Sequence, residues 1–169
     1  MSRKITSCII FLFIFFLIGK ASANEEFETA QRLFNMKKYN KAISLLKKAT
    51  KINTTSTEAW ILLGDCYSEI EKYTHAINSY QQVLLVNSEH TKAILRIGIS
   101  YSNMKHHNAA IEVYKKVLQI NPNHKMAHFR LGISYDSTVR ISLAFKHYKI
   151  LKTLDKELAE KLYNIIFLE

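Results

Sequence analysis

The sequence predicts an all-helical fold built from one helical hairpin used several times, and two observations carry that prediction. Chain-breaking residues are scarce, with Gly 4 and Pro 1 in 169 residues. A sandwich or barrel needs many tight turns, and tight turns want Gly, Pro, Asn and Asp. The second observation is a fixed step of 34 residues. Gly64, Gly98 and Gly132 form one column, and Tyr67, Tyr101 and Tyr135 a second. Ala42, Ala76, Ala110 and Ala144 form a third, and Tyr80, Tyr114 and Tyr148 a fourth, with Leu46 in the place before them. Several columns at one step define a repeat architecture. Hydrophobic residues make up 48% and charged residues 22% of the chain, enough for a packed core and against disorder.

Residues 1–23 read as a removable leader. Arg3 and Lys4 are followed by the apolar run from Cys8 to Ile18, and then by Ala21-Ser22-Ala23. A positive start, an apolar stretch and a small-x-small site make a secretory signal peptide, with cleavage expected after Ala23. Eleven helical residues span roughly 16 Å, short of the ~30 Å hydrocarbon core of a bilayer. The expected location is therefore periplasmic or secreted, the alternative being a membrane anchor over residues 5–19. Cys8 precedes the apolar run, whereas a lipid-modified cysteine would follow it.

The remainder divides into four repeats, about 23–56, 57–90, 91–124 and 125–158. Trp60, Leu63, Gly64 and Tyr67 fall at i, i+3, i+4 and i+7, one face of a helix. Gly64 lets a partner helix come close, and Ala76 is the small residue expected to meet it. Tyr67 and Tyr80 are expected to fill the space toward the next repeat. Glu69-Ile70-Glu71-Lys72-Tyr73 leaves room for a short turn only, so each unit is an antiparallel helix pair. One pair cannot bury its apolar face alone, but a stack can. Residues 159–169 continue as an amphipathic helix, with Leu162, Ile165 and Ile166 at i, i+3 and i+4. It is expected to cap the stack, with a docking surface or a lost fifth repeat as the other readings.

The columns resemble the tetratricopeptide repeat (TPR). The second copy carries Trp60, Leu63, Gly64, Tyr67, Ala76 and Tyr80. The third carries Ile97, Gly98, Tyr101, Ala110, Tyr114 and Pro122, and the fourth Leu131, Gly132, Tyr135, Ala144 and Tyr148. The first copy is degenerate, with Ala30 for the glycine and Leu33 for the tyrosine. The resemblance covers about 23–158. It implies a right-handed superhelical α-solenoid of four repeats plus a C-terminal capping helix. It also implies a concave surface, lined by the first helix of each pair, where peptides bind.

One residue beyond the buried stripe, the helix turns roughly 100° toward that concave side. The stripe there holds Phe27, Gln31 and Phe34, then Ile61, Asp65 and Ser68, then Leu95, Ile99 and Ser102, then Phe129, Ile133 and Asp136. Phe27, Ile61, Leu95 and Phe129 form an apolar track, and exposed contiguous apolar surface marks partner sites. The opposing reading is that neighbouring first helices bury this stripe against each other. The candidate groove is therefore Phe27, Phe34, Ile61, Asp65, Lys92, Leu95, Arg96, Ile99, Phe129, Arg130 and Ile133, with Lys92, Arg96 and Arg130 adding charge at the rim. Chaperone-docking members of the family clamp a terminal carboxylate. Lys92 and Arg96 match two places of that clamp, but Phe27, Gln31 and Leu62 occupy the others.

Without the leader the chain holds 21 basic and 14 acidic residues, a net charge of +7. That favours acidic partners or anionic surfaces. The basic residues are spread out and mostly lysines on helix backs, so nucleic acid is not an expected partner. Cys66 stands alone in the mature chain, without a disulfide partner or a catalytic neighbour, and an inert half-buried thiol is expected. His124 and His128 are four apart, but no third ligand completes a metal set. His106-His107 sits at a turn. No phosphate-binding glycine loop or Ser-His-Asp set stands out. The expected function is a non-enzymatic exported scaffold, without cofactor or metal, that binds a peptide segment of another protein. A structural or self-associating envelope component is the alternative, with peripheral envelope association or homo-oligomers as its forms.

Overall fold

The computed structural model describes residues 21–168, so residues 1–20, which hold most of the expected leader, lie outside the described residues. Among the described residues nine helices follow one another: α1 (21–35), α2 (Tyr39–Ile52), α3 (Thr57–Glu69), α4 (Tyr73–Val86), α5 (Thr91–Asn103), α6 (His107–Ile120), α7 (Lys125–Asp136), α8 (Ile141–Leu154) and α9 (Lys156–Phe167). No strand occurs among the described residues, and no helix there is long and apolar enough to cross a membrane. The expected cleavage point after Ala23 falls within α1, where Ala23 is buried. The chain forms two compact units, one ending at Lys72 and one beginning at Tyr73.

Hairpin turns repeat with the columns. Lys37, Glu71, Lys105 and Val139 take positive φ, at 56°, 59°, 63° and 58°, again in steps of 34. In each turn the next N–H reaches back to the last turn of the first helix. Lys38 donates to Leu33, Lys72 to Tyr67, His106 to Tyr101 and Arg140 to Tyr135, all at 2.8–2.9 Å. A left-handed residue closing a helix with this reach-back satisfies carbonyls that the helix end leaves open. None of the four is Gly or Asn, the residues that adopt this conformation most readily.

First helices start on capping residues in the same register. The N–H of Ala59 donates to Ser56 Oγ at 3.3 Å, that of Ala93 to His90 Nδ1 at 3.3 Å, and that of Ala127 to His124 Nδ1 at 3.2 Å. His124 is therefore a helix cap. Second helices end at Asn53, Asn87, Asn121 and Asp155, each donating its N–H to the carbonyl four residues earlier. After the three asparagines come two further turn residues and then the cap. At the fourth position Asp155 ends α8 and caps α9 as well, accepting from the Leu158 N–H at 3.2 Å. The last turn is thus three residues short, and α9 begins at Lys156 where the repeat register expected 159.

Two of the column glycines are approached closely by large side chains. A Cβ on Gly98 would collide with the Tyr114 ring, and one on Gly132 with the end of Leu162. In the third repeat it is the tyrosine of α6, fully buried, that enters the space beside the glycine of α5. Tyr114 joins Ala110, Ile111, Leu131, Tyr135 and Ala144 in one core cluster. Burying a side chain of this size contributes roughly 2 kcal/mol. Leu151, Ala159 and Leu162 make a second cluster, which seats α9 on α7 and α8. Cys66 is fully buried rather than half-buried, and burial, with the Asp65 and Glu69 charges adding to it, pushes its thiol up to about 12.

Candidate functional site

The expected groove residues sit on first helices, which is what puts them on one side of each unit. In the first unit Phe27 and Phe34 lie on α1 and are half-buried, and Phe34 meets the Tyr39 ring edge-on at 5.4 Å. Ile61 on α3 is buried, so it acts as packing within the structure, while Asp65 is half-buried. Phe27 also lines a cavity of about 220 Å³ with Ala23, Asn24, Ala49, Asn53, Ser56, Glu58 and Ala59.

In the second unit Leu95 and Ile99 are half-buried on α5 and pack against the cluster that includes Leu131 of α7. Phe129 and Ile133 are half-buried on α7 and pack against the cluster holding Leu162 of α9. Within this unit α7 and α9 therefore add to the cover of the apolar stripe on the first helix before them. Lys92 is exposed, and Arg96 and Arg130 are half-buried. The Nε of Arg130 and the hydroxyl of Tyr114 are buried without a hydrogen-bond partner. Burial pushes the Tyr114 phenol up to about 12, against the pull of the Arg130 charge. Arg130 as a whole keeps part of its surface open beside these half-covered apolar side chains, and a guanidinium there can take a carboxylate or carbonyl oxygen from an incoming chain.

A buried histidine pair lies between α7 and α8. His128 Nδ1 and His147 Nδ1 are 2.8 Å apart, and His128 Nε2 is 2.8 Å from the Pro122 carbonyl oxygen. A carbonyl can only accept, so His128 carries its proton on Nε2. Its Nδ1 then accepts, and His147 Nδ1–H donates. The His147 ring stacks on Tyr135 at 5.6 Å. Burial, with the charges of His128 and Lys146 adding to it, pulls His147 down to about 4. Sequence reasoning paired His128 with His124 on one helix and missed His147, which lies on the facing helix. No group of three metal-ligating side chains gathers among the described residues.

Comparison with known proteins places this architecture. Residues 21–128 match the family described as the tetratricopeptide repeat protein 21 C-terminal ARM domain. The crystal structure of MamA is similar over 82% of this chain and 81% of that one, at 27% identity and a TM-score of 0.75. The first TPR of Spaghetti (RPAP3), bound to the HSP90 peptide SRMEEVD, is similar over 71% and 95% of the two chains, at 21% identity and a TM-score of 0.66. The Arabidopsis OM64 TPR domain is similar over 69% and 96%, at 18% identity and a TM-score of 0.63. No curated protein sequence matches the chain. The all-helical hairpin repeats are thus of tetratricopeptide type, and with well over half of its length matched the chain belongs to the family of the tetratricopeptide repeat protein 21 C-terminal ARM domain.

Proposed function

We propose that this chain is a non-enzymatic scaffold that holds a peptide segment of another protein on its first-helix surface, with the main contacts on α5 and α7. One observation carries the reading. Leu95, Ile99, Phe129 and Ile133 stay half-buried on helices that also carry the exposed Lys92 and the half-buried Arg130. The peptide's apolar side chains add to the cover that neighbouring helices leave incomplete, and an acidic side chain or backbone carbonyl meets Arg130. The structure of the RPAP3 domain with its peptide is an example of the fold serving as a peptide receptor. The ligand proposed for this chain is internal and not C-terminal, because Phe27, Gln31 and Leu62 replace the residues that would complete a carboxylate clamp.

Panning a random peptide library on the full chain tests the proposal. Peptides with apolar and acidic residues should be enriched, and Lys92→Glu with Arg130→Gln should weaken them by about tenfold. Enrichment that survives both substitutions would refute the assignment to this surface. We also infer export, from the leader-like order of residues 1–23. Intact-mass measurement of the native protein should show loss of those residues, and a full-length mass would overturn the cleavage.

A further inference from the structure

The open end of the second unit carries a surface that the proposed peptide contacts do not use. In the third repeat, Tyr114 of α6 lies buried beside Gly98. In the fourth, Leu162 of the early-starting α9 fills the space beside Gly132. Tyr148, which occupies the column of Tyr114, is left half-buried. It stacks on Phe145 at 5.3 Å and meets Tyr163 at 5.4 Å; Tyr163 meets Phe167 at 4.9 Å, and Phe167 returns to Phe145 at 5.9 Å. Four aromatic side chains thus close a ring across α8 and α9. Tyr163 remains 40% exposed, Phe167 46% and Leu168 72%.

The ring borders a seat that the repeat architecture leaves empty. Helices α5 and α7 are each covered by the helix that follows, α6 and α8. Among the described residues no helix follows α9. Counting from the caps, Ala159 stands where His128 stands on α7. His128 is met by His147 of α8, whereas Ala159 borders a cleft of about 290 Å³ with Tyr148, Lys152, Lys156 and Glu160. On the α8 side of the seat the charge is one-sided, Glu160 being the acidic residue that α9 brings to the cleft. Helix α8 has Lys146, Lys149 and Lys152 and no acidic residue. Lys149 Nζ sits 4.8 Å from the centre of the Phe145 ring and Lys152 Nζ 5.8 Å from that of Tyr148. No ion pair among the described residues engages Lys149, Lys152 or Lys156.

We propose that this end binds an amphipathic helix of another protein, seated along α8 and α9, with its apolar stripe on the four rings and its carboxylates on Lys152 and Lys156. A concave cleft flanked by lysines fits one helix better than it fits a flat bilayer. Tyr163 stands in the glycine column, eight residues after its cap like Gly98 and Gly132. The visiting helix must therefore bring a small residue where α6 brings Tyr114. The partner chemistry is thus a helix with an apolar stripe, a small residue at its centre and acidic residues along the edge facing α8.

A fluorescein-labelled peptide with the α6 sequence, residues 107–120, carrying Tyr114→Ala, Lys115→Glu and Lys116→Glu, is the probe. It is titrated with the full chain and followed by anisotropy. Saturable binding is expected, weaker for the unsubstituted α6 peptide. Lys152→Glu with Lys156→Glu, and separately Phe167→Asp, should each weaken it by about tenfold or more. Lys92→Glu should leave it unchanged, so failure here and failure of the first-helix proposal are read separately. Absence of saturable binding overturns the assignment, as does binding lost in Lys92→Glu and kept in the end variants. Two further results overturn it, each without peptide binding. One is sedimentation with phosphatidylglycerol vesicles that Phe167→Asp abolishes, which gives the surface to a membrane. The other is a dimer that Phe167→Asp abolishes, which gives it to a second copy.

Discussion

Acidification should loosen the α7–α8 hairpin through the buried histidine pair, and the size of the effect follows from its geometry. His147 is held at about 4, from an ordinary value of 6.5. The unfolded chain therefore binds a proton at this side chain before the folded chain does. The stability contributed by neutral His147 is complete above pH 6.5 and is lost as pH falls toward 4. Two and a half units correspond to about 3 kcal/mol at about 1.4 kcal/mol per unit. The direct cause is burial, which takes from an imidazolium at this site the water that would solvate its charge, with the His128 and Lys146 charges adding to the penalty. The third repeat supplies the control, since its equivalent columns hold Ile94 and Val113, which belong to one apolar cluster. Urea unfolding at pH 7.5 and 4.5 should show the parent losing about 2.5 kcal/mol more than the double variant His128→Ile/His147→Val. His147→Val alone should lose about 1–3 kcal/mol at pH 7.5, because His128 Nδ1 is left unpaired. Equal pH dependence in parent and double variant would refute the reasoning.

Three further substitutions and one insertion test the packing and the turns. Gly98→Ala sets a methyl against the locked Tyr114 ring. Overpacking of about 1–3 kcal/mol outweighs the ~1 kcal/mol that Ala returns in helix propensity, so thermal melting should show a net loss, relieved by Tyr114→Leu. Gly132→Ala should cost less, because the atoms it meets are the movable end of Leu162. Val139→Gly should stabilise the chain by about 1 kcal/mol in the same melts, since a β-branched residue at φ 58° and 84% exposure is strained and contributes little packing. Inserting Pro-Asn-His after Asp155 restores the full turn, and Tyr148 should then become buried, read as lower acrylamide quenching in a chain lacking Tyr163. Unchanged quenching would show that turn length does not position Tyr148.

Much of the fold could be read because the 34-residue step shows in large or small side chains that anyone can align. What escaped sequence reasoning carries less evident chemistry. The left-handed turn residues are Lys, Glu, Lys and Val, none of which signals a positive φ, and only their spacing gives them away. His90 and His124 cap helices in the column of Ser56, an assignment that residue type alone would not suggest. On the candidate surface, helical periodicity placed Leu95, Ile99, Phe129 and Ile133 on one face but could not show its cover. That cover comes from clusters that join neighbouring helices, Leu131 and Leu162 of the next first helices among them. Ile61 is the extreme case, an apolar residue on the expected groove face that is buried. His147 stayed hidden for a similar reason, since its partner lies on another helix.

How the array ends depends on what can cap a helix. At the fourth inter-repeat turn the register would place Leu158 where Ser56, His90 and His124 stand, and leucine offers no atom to accept the exposed N–H groups. Asp155 can accept, and its carboxylate takes the Leu158 N–H and lies 3.4 Å from Lys125 Nζ. The helix therefore starts at once, and α9 is drawn against α7, where Leu162 occupies the space beside Gly132. That fills the one place where Tyr148 could have been buried as Tyr114 is. Tyr163, in the glycine column of α9, also blocks the tyrosine that a further second helix of this repeat would bring. The displaced register of α9 and the exposure of the four aromatic rings are thus two results of the same shortened turn.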